Sequence, residues 1–153
     1  MEKSYSNSST TKTTNRYGEV SYWICSFVLI VIWCYAVFAK LSDLRLYQNQ
    51  MEQQPFSHGV KTLLTYLVPF LELAAAVLLI ANKSKLGLWV SFSLLFAFTI
   101  YIILILTHFF PSTPCSCGGF ISKMSWEKHL YFNGILICFN MFCLYWFIKK
   151  KGG

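Results

Sequence analysis

Leu63-Leu64-Thr65-Tyr66-Leu67-Val68-Pro69-Phe70-Leu71-Glu72-Leu73-Ala74-Ala75-Ala76-Val77-Leu78-Leu79-Ile80-Ala81 carries a single charged residue in an otherwise apolar run. At 1.5 Å per residue, a helix of this length covers the ~30 Å hydrocarbon core of a bilayer. Three further runs repeat the pattern, at Tyr22–Ala39, Gly87–Phe110 and Leu130–Ile148. Hydrophobic residues make up 56% of the 153-residue chain and charged residues only 12%, half the ~25% usual for soluble domains. The fold class that follows is an all-α membrane protein, a bundle of four transmembrane helices. Residues 22–148 form the membrane domain, with a polar, Ser/Thr/Asn-rich tail at 1–21 expected to be disordered and a basic tail at 149–153. No small-residue cleavage site follows the first run, so it reads as an uncleaved signal anchor.

The connections refine this picture. Asn82–Leu86 is a tight polar turn that makes the second and third spans an antiparallel pair. Pro111 and Pro114 are expected to stop the third span, since proline has no amide proton to donate. Between the first and second spans, Leu41, Leu44, Tyr47 and Met51 recur at three- and four-residue spacing among charged and amide residues. That is a short amphipathic helix lying in the membrane interface. Pro55 and Gly59 then turn the chain into the second span.

A net charge of +7 would suggest nucleic acid in a soluble protein. Here the basic residues flank apolar runs and leave no basic face, which excludes nucleic-acid binding. Eight of them (Lys3, Lys12, Arg16, Lys83, Lys85, Lys149, Lys150, Lys151) fall on one side of the bundle and five (Lys40, Arg45, Lys61, Lys123, Lys128) on the other. The positive-inside rule puts both termini in the cytoplasm and turns the loops Lys40–Lys61 and Pro111–His129 outward.

The second outward loop holds Pro114-Cys115-Ser116-Cys117-Gly118-Gly119. Two cysteines one residue apart lie within the Cα separation a disulfide spans. The ring so closed is very small, hence strained and exchange-competent. Three readings stand open: a redox pair, a metal trap, or an ordinary loop pair. Cys34, near the outer end of the first span, is placed as a resolving thiol. In the metal reading, His108 and His129 would join Cys115 and Cys117, soft thiolates suiting Cu(I) or Zn.

Glu72 lies near mid-membrane, where an ionised carboxylate costs ~3 kcal/mol on insertion scales. It therefore meets a partner inside the bundle or is protonated, as interhelical glue, a proton relay or a quinone-facing group. Thr99 and Tyr101 on the third span lie at similar depth. Pro69 removes the amide partner of the Thr65 carbonyl. His129, Asn133 and Asn140 share one face of the fourth span, which should point inward. Lys40 is expected to snorkel to the outer interface, with Glu72 as its alternative partner if the first helix tilts.

Several of these strings resemble the MauE/DoxX group of small bacterial membrane proteins. They are Phe38-Ala39-Lys40-Leu41-Ser42-Asp43, Pro69-Phe70-Leu71-Glu72-Leu73, Phe98-Thr99-Ile100-Tyr101, the Cys-Ser-Cys-Gly-Gly loop, Ser125-Trp126 and His129-Leu130-Tyr131-Phe132-Asn133. The likeness runs from about Tyr22 to Phe147. It implies a bundle in the bacterial inner membrane and a role in maturing a disulfide-rich subunit of methylamine dehydrogenase, with quinone-coupled oxidation among the DoxX-like relatives. The resulting expectation is a membrane thiol–disulfide redox or maturation factor acting on a periplasmic thiol or disulfide client, with a quinone as candidate cofactor. Its rivals are a metal-handling protein and a non-catalytic scaffold subunit.

Overall fold

The computed structural model describes residues 6–81, 84–109 and 125–151. Five helices are found among them: α1 (Ser6–Ser42), α2 (Leu44–Glu52), α3 (His58–Ile80), α4 (Ser84–Leu106) and α5 (Trp126–Lys151). All but α2 contain a stretch long and apolar enough to cross a membrane. Only 22–33% of each such stretch is buried, so most of the apolar surface faces outward. Trp23, Phe27, Phe38, Tyr66, Phe70 and Tyr145 are among the large side chains so exposed. Helices that are apolar all round and still exposed are solvated by lipid. The chain is a multi-pass membrane protein.

Several boundaries differ from expectation, α3 opening at His58 rather than Leu63 and α5 at Trp126 rather than Leu130. α1 starts at Ser6, so the Ser/Thr/Asn-rich segment expected to be a disordered tail continues the helix of the first span. Extending an existing helix adds one hydrogen bond per residue without a new nucleus. α4 ends at Leu106 rather than at Phe110. The amides of His108 and Phe109 turn back to the carbonyls of Ile105 and Leu104, and His108 takes φ 54°. This is the Schellman closure, with histidine in the left-handed position usually given to glycine. Phe110, Pro111 and Pro114 lie outside the described residues.

The spans form a ring in which α1 packs on α3 and α5, and α4 packs on the same two. Tyr22, early in α1, stacks on Trp146, late in α5, at 5.2 Å. At the opposite end, Tyr101, late in α4, meets Trp126, which opens α5, at 6.3 Å. Successive spans therefore run antiparallel. The core between them is built on Leu29, Trp33, Ala75, Ala76, Leu88, Leu95, Leu136 and Cys143. α3 and α4 approach closely at Gly87, where an added Cβ would stand 2.9 Å from the Leu79 backbone nitrogen. Small residues at such crossings let helix backbones approach in the absence of a hydrophobic drive between them.

α2 closes one end of the ring. Asp43 breaks α1 from α2 and caps α2, its carboxylate accepting from the Leu46 amide at 2.9 Å. Tyr47 and Met51 turn inward and are buried, whereas Leu41 and Leu44 are exposed. The apolar stripe is thus divided between the bundle mouth and the surroundings.

Candidate functional site

The last turn of α1 carries Lys40, and α3 carries Glu72 two turns from its end. Sequence reasoning put Lys40 at the outer interface with Glu72 as its alternative partner, and the alternative is the one realised. The structure buries it at 7% exposure beside Glu72 at 1%. The cause is that α1 runs on to Ser42, which keeps Lys40 on the inner face of a continuous helix. Its ammonium donates to both carboxylate oxygens, at 2.9 and 3.0 Å, and to the Ala36 carbonyl at 3.3 Å. All three donors of the ammonium are thereby used. The Tyr47 ring of α2 covers the ammonium at 6.0 Å, within cation–π range. Neither charge would be tolerated alone at this depth, and the bidentate geometry offsets much of their desolvation.

Above this pair lies a cavity of about 390 Å³. Its walls are mainly apolar and aromatic, with Trp33, Phe56, Phe98, Tyr101, Trp126 and Phe132 contributing. The polar groups among them are Lys40, Glu72, Gln54, His129 and Asn133. A few polar groups in an apolar chamber of this size is the usual make-up of a small-molecule site. At its mouth the Tyr101 hydroxyl donates to the side-chain carbonyl of Gln54, and the Gln54 amide donates to the Gln50 carbonyl at 3.1 Å. This joins the α2–α3 turn to α4. The His129 ring stacks on Trp126 at 6.3 Å and 12°. Its Nδ1 is buried with no hydrogen-bond partner among the described residues.

Thr99 stands behind the cavity wall and holds Asn133, which lines it. The Asn133 amide donates to the Thr99 hydroxyl at 2.7 Å and to the Leu95 carbonyl at 3.0 Å, tying α5 to α4. Asn140 does the same one step deeper. Its amide donates to Ser91 Oγ at 2.8 Å, which also accepts from Trp33 Nε1 at 2.9 Å. Side-chain hydrogen bonds thus hold α1, α4 and α5 together through a single buried hydroxyl.

Lys40, Glu72, Tyr101, His129 and Asn133 therefore meet at one cavity, with Thr99 bonded to its wall. Cys34 is exposed on α1 and lies away from the cavity lining. His108 is exposed at the end of α4. Cys115 and Cys117 lie outside the described residues. No group of three or more His, Cys, Asp or Glu side chains suited to a metal occurs among the described residues. Three contributors escaped sequence reasoning: Gln54, Trp33 and Ser91. Ser91 had a usable signal, a small hydroxyl residue inside an apolar span. Trp33 is one of many aromatics in the apolar runs, and Gln54 lies beside Pro55 with no pattern to single it out.

The family model described as methylamine utilisation protein MauE matches residues 18–147 of the chain. No curated protein and no solved structure shows a significant match.

Proposed function

The chain belongs to the MauE family, and on that premise we propose that it is a thiol–disulfide exchange or maturation factor of the bacterial inner membrane. In this reading Cys115 and Cys117 are the exchanging pair, and Cys34 is the resolving thiol candidate. The client is a periplasmic protein that gains or loses a disulfide. The family's description suggests a partner from methylamine utilisation.

One observation carries the reading. Residues 110–124, which hold the cysteine pair, are bracketed by the end of α4 and the start of α5. Those two elements supply Tyr101 and Trp126 to the cavity wall. The chemistry is consistent with this placement. Oxidising a dithiol releases two electrons and two protons, and attack by one thiolate on a client disulfide passes through a mixed disulfide that the second thiol resolves.

The cavity also fits a quinone as the cofactor. Its walls are aromatic, its ion pair has no net charge, and His129 Nδ1 is an unused buried polar atom. Gln54, Tyr101 and His129 are the groups that would hold the ring's oxygens. A bound quinone would supply a two-electron, two-proton acceptor. With the positive-inside rule setting orientation, the α2 end faces the periplasm and both termini face the cytoplasm.

The test is trapping. Cys115→Ser and Cys117→Ser are compared with the double variant on non-reducing gels, with an alkylating agent added at lysis. Exchange predicts a covalent client complex in one single variant and none in the double variant. Normal abundance and activity in every variant, with no trapped species, would sink the reading.

A further inference from the structure

The α1–α5 seam is the most thinly packed of the four that close the ring, and it carries two cysteines that the site at the other end does not use. Tyr22 anchors this seam, stacked on Trp146 at 5.2 Å and lying 6.4 Å from Phe147. Cys143 on α5 is fully buried against it, its thiol 3.9 Å from the Tyr22 carbonyl oxygen. In a helix that carbonyl points toward the residues three and four places on, which here are Cys25 and Ser26. Cys25, one turn on from the carbonyl that the Cys143 thiol approaches, packs against the core cluster containing Cys143. Cys138, by contrast, is exposed on α5.

We propose that Cys25 and Cys143 form a second dithiol–disulfide couple, closing to a covalent bridge between the first and last spans. Each thiol loses its proton, a sulfur–sulfur bond forms, and the two electrons and two protons pass to the oxidant. The oxidant is a membrane-permeant disulfide, which leaves as two thiols, or a quinone, which leaves as a quinol. Lipid-soluble oxidants are required because the surroundings are apolar and Cys143 has no exposure. The bridge would pin the seam whose two helices bring Lys40 and His129 to the cavity at the opposite end. It is separate from Cys115–Cys117, which falls between α4 and α5 in the sequence.

The bridge can be tested on the wild-type full chain in native membranes. These are treated with a membrane-permeant disulfide, alkylated under denaturing conditions, digested and read by mass spectrometry. The expected result is a cross-linked peptide joining the Cys25 and Cys143 segments, two mass units lighter than the sum of the reduced peptides. It should disappear after reduction and in Cys25→Ser. Full alkylation of both thiols after oxidation, or pairing of Cys143 with any other cysteine, overturns the proposal. Because the readout is a peptide bond map, it does not depend on whether Cys115–Cys117 exchanges with a client.

Discussion

Lys40 and Glu72 decide how the site behaves when altered. A buried ion pair is weak evidence for net stability, but removing one partner strands the other charge and costs about 3–5 kcal/mol. Lys40→Met and Glu72→Gln should each lower the thermal midpoint of the protein in detergent. With Glu72→Leu measured as a further single variant, the double variant Lys40→Met/Glu72→Leu should recover most of the loss, since an apolar pair of similar volume is often neutral or stabilising. A double-mutant cycle measures this coupling, and strictly additive losses would show that the two groups act independently. Glu72 was legible in the sequence as a group needing a partner, because a carboxylate amid nineteen otherwise uncharged residues cannot face lipid. Its partner was only half legible. Lys40 follows an apolar run, where lysines commonly reach out to the interface, and nothing in the pattern shows that α1 continues to Ser42 and keeps the ammonium inside.

Elements were read well where hydropathy alone defines them and less well where backbone geometry does. The four spans and the short helix after the first are long or periodic patterns that burial and lipid both require. The end of α4 is a different matter. Proline supplied an obvious stop, yet the helix is closed four residues earlier by His108 in a left-handed conformation, which few residues other than glycine, asparagine or aspartate signal in advance. Gly87 shows the same limit. At the head of an apolar run it looks incidental, but it is the point where α4 meets the α3 backbone, with Leu78 carbonyl carbon 3.0 Å from where a Cβ would stand. A contact with backbone cannot be relieved by a rotamer change. Gly87→Ala should therefore cost about 1–3 kcal/mol as overpacking and Gly87→Val more. Thermal unfolding in detergent of both variants checks the order, and a Gly87→Val protein as stable as wild type would mean that the α3–α4 crossing is looser than described.

At the scale of the whole molecule, the order of helices around the ring was not legible, because one or a few polar residues per span mark the inward face without saying which helix neighbours which. What the ring does is bury its charged groups, Lys40 and Glu72, at one end, and this bears on orientation. Lys40, counted from the sequence among the outward basic residues, is inside the bundle and paired with Glu72. It is not a loop residue and does not enter the positive-inside balance, which considers loops and flanks. Removing it leaves Arg45, Lys61, Lys123 and Lys128 against the eight on the opposite side, so the asymmetry is sharper than the raw count. The α2 end should accordingly face outward. Two exposed positions report it: Ser57, in the α2–α3 turn, and Lys149, in the last turns of α5. Each is changed to cysteine in a chain whose own six cysteines are replaced by serine. Intact spheroplasts are then treated with a membrane-impermeant maleimide. Ser57→Cys should label before lysis and Lys149→Cys only after it. The reverse pattern would place the cavity and its cysteine-bearing neighbour segment on the cytoplasmic side, where thiols are kept reduced, and the proposed exchange with a periplasmic client would have to be abandoned along with the orientation.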